Sequence, residues 1–181
     1  MLTNSGGRSV FPNAGRTRRR GLELAGQAQW GPVHLASAYT WLDAVYLDSF
    51  STCEATPCTT PTVLVPAGNR MPGIARQQAY VRLDWAQGWA GAVLGLELRH
   101  SGAVPVNDRN SDAAAGWTVG NLIARFQQSA GPWRWREFVR LDNFTDRRYA
   151  GSVIVNESGG RFFETAPGRS FFAGVELARD F

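Results

Sequence analysis

Residues Trp133–Phe144 read WRWREFVRLDNF. Trp133, Trp135, Val139 and Leu141 alternate with Arg134, Arg136, Arg140 and Asp142. Successive side chains of a strand point to opposite faces, so this period of two builds a ribbon with one apolar and one charged side. Glu137 interrupts the apolar side, and the sequence offers no account of it.

Six further stretches share the pattern. GLELAGQAQW sets Leu22, Leu24, Ala28 and Trp30 against Glu23, Gln27 and Gln29, and VHLASAYTW follows after Gly31-Pro32. QAYVRLDW sets Ala79, Val81, Leu83 and Trp85 against Tyr80, Arg82 and Asp84. AVLGLELRH sets Leu94, Leu96 and Leu98 against Glu97 and Arg99. The closing SFFAGVELARDF places Phe171, Val175, Leu177 and Phe181 opposite Glu176 and Asp180. WTVGNLIARF is the least regular, and its faces stay unassigned. No helical period competes. The expected fold is all-β, an antiparallel up-and-down meander of about seven strands.

Connection lengths sharpen this. Gly31-Pro32, QGWAG around Gly88 and SAGPW around Gly131-Pro132 are short, whereas the runs from about 48 to 73, 101 to 116 and 146 to 169 are long. In such a meander every long loop emerges on one side. Trp30, Trp85, Trp89, Trp133, Trp135 and Phe181 then fall beside short turns, and Tyr39, Trp41, Tyr46, Trp117, Phe144 and Phe171 toward the long loops. Two aromatic bands around aliphatic middles describe the girdles of an outer-membrane barrel, where ring-and-polar-edge side chains suit the lipid boundary. The competing arrangement is a soluble barrel or sandwich with the aromatics in its core. It does not explain polar residues at nearly every second position. On the membrane reading Phe181 is the lipid-facing end of the last strand, and the neighbouring strand satisfies the backbone there.

Composition narrows the rest. All 19 basic residues are arginine and the net charge is +4, but the arginines are scattered through alternating segments and form no stripe for nucleic acid. No run of 18 apolar residues occurs, and the polar start after Met1 lacks a secretory leader, favouring an internal start within a longer chain. Cys53 and Cys58, in CEATPC, fit a surface disulfide of an oxidising compartment; two unpaired thiols is the alternative. The only histidines, His34 and His100, fall at opposite ends of the meander, so no catalytic set and no enzyme is expected. Neither cofactor nor metal site is indicated.

Several segments resemble one family. NAGRTRRRGLEL is similar to the opening of a late barrel strand in TonB-dependent outer-membrane receptors. PAGNRMPGIARQQAYVRLDW resembles a loop-to-strand passage, and RLDNFTDRRYAGSVIVNESGGRFFETAPGRSFFAGVELARDF resembles the family's ending, with Asn-Phe-x-Asp-x-x-Tyr, a long loop, APGR and a final strand closing on Phe. The resemblance implies a barrel of about 22 strands occluded by a plug. Residues 1–181 would be its C-terminal part, without the plug or the earlier strands. It further implies a bacterial outer-membrane location, import of a ferric siderophore or a similar scarce nutrient such as cobalamin, driven by the TonB complex through the missing plug, and Phe181 as a signal for the barrel assembly machinery. A small stand-alone barrel, structural or enzymatic, and a truncated remnant without function are the alternatives.

The expected site residues follow. Arg16, Arg18, Arg19 and Arg20 would meet lipopolysaccharide phosphates in the outer leaflet, because guanidinium matches phosphate geometry; a solvated rim is the plainer reading. Arg82, Asp84, Glu97, Arg99, Arg134, Arg136, Arg140, Asp142 and Glu176 should face the lumen, mostly paired across strands or with the plug. The loops around Cys53–Cys58, Asp108 and Arg161 are candidates for ligand contact, with no single residue favoured.

Overall fold

The computed structural model of the chain describes residues 2–3, 9–10, 15–53 and 58–179, and every regular element among them is a strand. Seven strands form one sheet: β1 (Thr17–Trp30), β2 (Val33–Tyr46), β3 (Gln77–Ala86), β4 (Val93–Ser101), β5 (Trp117–Ala130), β6 (Trp133–Asp142) and β7 (Ser170–Arg179). They lie side by side in chain order, each antiparallel to the next. The sheet is open, with β1 and β7 at its edges. Among the described residues no helix is long and apolar enough to cross a membrane, which bears on helices alone.

The short turns owe their form to glycine. Gly31 (φ 53°) and Gly131 (φ 56°) each precede a proline in a two-residue connection, and a glycine with positive φ at the first turn position matches the right-handed strand twist. At the third turn Gly91 comes so close to β5 that a Cβ there would lie 2.3 Å from the Gln127 carbonyl oxygen.

Register decides the faces, because directly opposed residues in antiparallel strands share a side. One row runs Ala28, Leu35, Leu83, Leu96, Leu122, Leu141, Phe171 from β1 to β7. Another, on the opposite face, runs Gln27, Ala36, Arg82, Glu97, Asn121, Asp142, Ser170. The first face is apolar and open, with Leu24 57% and Leu177 63% exposed. The second carries most of the charges of the strand middles. β5 escaped assignment by pattern because Val119 and Ile123 stand on the charged face, buried there beside Asn121 and Arg125.

The buried core is small and lies mostly at the long-loop end of the charged face. Val65 and Val106 are fully buried, with Ala44, Tyr46, Ala75, Ala114 and Val119 around them. Three loop hairpins fold over it: Phe50–Thr52 with Val63–Val65, Val104–Pro105 with Ala113–Ala114, and Ala150–Val153 with Phe163–Thr165. This corrects the aromatic bands at two positions. Tyr46 and Trp117 lie on the charged face, Tyr46 bonded to Asp108 and Trp117 stacked on Tyr149 at 4.4 Å, so neither belongs to an outward girdle. Phe181 lies outside the described residues.

Candidate functional site

The charged face is a paired lattice with one hub. Glu97 on β4 is 7% exposed. It accepts hydrogen bonds from Asn121 Nδ2 on β5 (2.8 Å) and the Tyr80 hydroxyl on β3 (3.2 Å). Arg82 and Arg140 approach the same carboxylate at 3.9 and 3.5 Å. Each arginine also holds a carboxylate two residues along its own strand: Arg82 with Asp84 at 2.7 Å and Arg140 with Asp142 at 2.6 Å. Arg125 joins Asp84 from β5 at 3.1 Å. Period two makes such i, i+2 pairs neighbours on one face, and four strands are laced together. Nearer the short turns Arg136 meets Glu176 at 3.5 Å. Arg99 shares this face, but among the described residues its side chain has no bonded or ionic partner.

At the long-loop end an asparagine-based turn hands β6 to its loop. Asn143 takes φ 48°, a left-handed conformation that asparagine tolerates. Its N–H donates to Asn121 Oδ1 at 2.8 Å, and its side chain bonds the Arg147 backbone through both N–H and C=O. Asp146 Oδ1 accepts from the Arg169 N–H at 3.0 Å, which binds the outgoing chain to the returning Pro167-Gly168-Arg169. The NFTDRRY and APGR stretches are thus two halves of one interlocked turn.

The three long loops are fastened together through Asp108. Tyr46 donates to Asp108 Oδ1 at 2.7 Å and Asn156 Nδ2 to Oδ2 at 3.0 Å. The Asp108 N–H donates to Asn156 Oδ1 at 3.0 Å, and Asn69 Nδ2 to the Asp108 carbonyl at 2.9 Å. Asn110 bonds the Arg70 backbone in both directions. Beneath this cap lies a cleft of about 710 Å³, walled on the sheet side by Thr40, Gln78, Tyr80, Arg99 and Trp117. A second, of about 350 Å³, lies among the loop tips beside Cys53, Asp108 and Glu157. Backbone N–H groups of Arg161 and Gly159 hold the Glu157 carboxyl below its usual range.

The remaining expected residues divide by face. Arg18 and Arg20 share the apolar side with Leu22 and converge on Asp43, at 3.6 and 3.3 Å, with Arg76 at 2.9 Å. Arg19 points to the other side, toward Thr17. Arg16 lies in the loop region and grips Asp48 at 2.8 Å, so that hydrogen bonding from the guanidinium holds the Asp48 carboxyl at about 2. Cys53 and Cys58 form a disulfide. His34 sits at the short-turn end and His100 near the long loops, bonded to Thr118 at 2.9 Å. Among the described residues no group of His, Cys, Asp and Glu could hold a metal. Sequence reading missed Asp43 and the asparagines and marked Asp108 only as part of a candidate ligand loop, although positive φ at Asn110, Asn143 and Asn156 is foreshadowed by the Asp/Asn/Ser/Gly clusters around them.

A family profile described as TonB dependent receptor-like, beta-barrel matches residues 1–162. The chain belongs to the TonB-dependent receptor β-barrel family. Solved structures agree in fold. The siderophore receptor PiuA of Acinetobacter baumannii superposes with a TM-score of 0.73 at 18% identity, covering 90% of this chain and 22% of that one. BauA, the ferric preacinetobactin receptor of the same organism, gives 0.67 at 17% identity, covering 89% and 22%. FyuA, the ferric yersiniabactin uptake receptor of Yersinia pestis, gives 0.67 at 19%, covering 93% and 24%. The chain therefore spans between a fifth and a quarter of the length of these receptors. Its TonB-dependent receptor sheet carries the family's antiparallel strands without a closed barrel.

Proposed function

We propose that this chain is the C-terminal wall segment of an outer-membrane TonB-dependent transporter, taking up a ferric siderophore. Separation of an open apolar face from a charged, internally paired face carries the reading: in water the exposed leucine row would remain unburied, whereas in lipid it is the solvated side. On this reading the short turns are periplasmic, the capped loops extracellular, and Arg82, Asp84, Glu97, Arg99, Arg140, Asp142 and Glu176 face the lumen. Strand parity supports a missing remainder. With seven antiparallel strands β1 and β7 run in the same direction, so an odd number of further strands must join their edges to close an antiparallel barrel. Those strands and a plug, through which the TonB complex would act, belong to the rest of the receptor. Phe181 would be read by the barrel assembly machinery. Arg18 and Arg20, held beside Asp43 on the apolar side with Arg16 nearby, would meet lipopolysaccharide phosphate.

Two measurements test the reading. Disrupting the gene in its own bacterium should abolish growth on at least one ferric siderophore as sole iron source, and unchanged growth on all those tried would overturn the transport assignment. Spin labels at positions 24, 83 and 122 should contact lipid while labels at 82, 97 and 121 contact water; the reverse pattern would overturn the orientation.

A further inference from the structure

We propose that Asp43 gathers Arg18, Arg20 and Arg76 into a clamp for one phosphate monoester of an acylated sugar lipid, held without a bridging divalent cation. The proposal deepens the lipopolysaccharide contact above and rests on the apolar face being the outward one. Asp43 is 6% exposed, and both its oxygens are taken by guanidinia. Arg76 Nη2 donates to Oδ1 at 2.9 Å, while Arg20 and Arg18 approach Oδ2 at 3.3 and 3.6 Å. The arginines reach it from β1 and from the residue before β3, and each keeps about half of its side chain open. Asp43 lies on β2 between them, so a strand joining the β1 edge would stand beyond Arg18 and Arg20 and could not separate them from it. Arg16 is matched by Asp48 and Arg19 lies on the other face, so neither belongs to the clamp.

Charge and placement specify the ligand. Three guanidinia against one carboxylate leave a surplus of two positive charges. A phosphate monoester carries about −1.5 to −2 near pH 7 on three acceptor oxygens, so one such group matches the surplus. Guanidinium forks suit those oxygens, and no metal ion is needed to bridge phosphate to protein. Toward the short turns the same face continues as Leu22 opposite Trp41 and Leu24 opposite Tyr39. An acyl chain descending from the phosphate would lie along those side chains, with the Trp41 ring at the lipid boundary. Soluble phosphate would meet the cationic half of the site alone. Asp43 touches no lipid in this arrangement; it acts as a positioning residue that holds three like charges within reach of one anion.

The test is a calorimetric titration of the 181-residue chain in detergent micelles with lipid A, with the same lipid stripped of its phosphates, and with inorganic phosphate. Lipid A should bind equally well in magnesium and in EDTA, and the stripped lipid and inorganic phosphate each at least about tenfold more weakly. Arg76→Gln should weaken lipid A at least about tenfold, and Arg125→Gln, on the opposite face, should remove the same charge without effect. Asp43→Asn separates positioning from mere charge. It raises the local charge by one, so a plain cationic patch would bind more tightly, whereas a clamp without its centre should bind at least about threefold more weakly. Equal binding of the stripped lipid or of inorganic phosphate, loss of binding in EDTA, or unweakened binding by Asp43→Asn overturns the proposal. If Asp43→Asn does not fold, Arg76→Gln and the EDTA comparison decide. Spin labels at 24, 83 and 122 in contact with lipid, on a chain indifferent to lipid A, would sink the clamp and leave the outward orientation standing.

Discussion

Phe144 lays its ring directly over Gly120, so closely that a Cβ at position 120 would sit 2.3 Å from Phe144 Cε1. The two are also joined through the backbone, the Phe144 N–H donating to the Gly120 carbonyl at 2.9 Å. A glycine inside a strand, here the fourth residue of fourteen, would ordinarily weaken it, and the aromatic ring covers the gap. Gly120→Ala must push the ring away and disturb the Asn143 turn next to it. The expected loss is about 1–3 kcal/mol of folding free energy in detergent, read as a lower urea midpoint. Phe144→Leu with Gly120 retained should lose less, because no clash is created.

Glu97 is the keystone of the charged lattice, and its removal should be felt across four strands. Truncation by Glu97→Ala strands Asn121 and Tyr80 and leaves Arg82 and Arg140 with one carboxylate each. Both arginines keep partial contact with solvent, so the cost falls below that of a fully buried pair, at about 2–3 kcal/mol. A double-mutant cycle with Asn121→Ala should give a coupling of about 1 kcal/mol. Additivity of the two substitutions would show that the hub is an accident of proximity.

The faces were legible because period two survives translation into register: Leu22, Leu83, Leu96 and Val175 fall where alternation puts them. Exceptions arise where the sheet meets its loops. Tyr46 and Trp117 read as girdle residues by position along the strand, yet parity turns both inward to loops that no local pattern describes. Long-range bonds are the reason. Asn156 and Asp108 are 48 residues apart, and nothing near either one announces the other.

Arg16 and Asp48 give the loop region a pH dependence of known sign. The Asp48 carboxyl is held at about 2 against an ordinary 3.8. A depressed carboxyl contributes stability above its unfolded value and loses it as pH falls through the folded one. Tethering of the Thr17 end of β1 to the loop after β2 should thus be full above about pH 4 and gone below about pH 2. Amide exchange at Arg16 and Leu47 should accelerate across that window, and Asp48→Asn should remove the dependence. An unchanged profile in that variant would assign the effect to another carboxyl.

Glu137 interrupts the apolar face with a carboxylate. It stands on the apolar side opposite Phe126 on β5 and Val175 on β7, and its Oε2 is shielded without a hydrogen-bond partner. That oxygen has no donor or cation among the described residues to offset its desolvation. Glu137→Leu should therefore stabilise the chain in detergent by about 1–3 kcal/mol, raising the urea midpoint without altering the slope. Glu137→Gln should gain less, because the amide is still an unpaired polar group. A midpoint lowered by Glu137→Leu would mean that the carboxylate holds the sheet through a contact formed only in the assembled receptor or the bilayer, and would turn this blemish on the apolar face into a binding group.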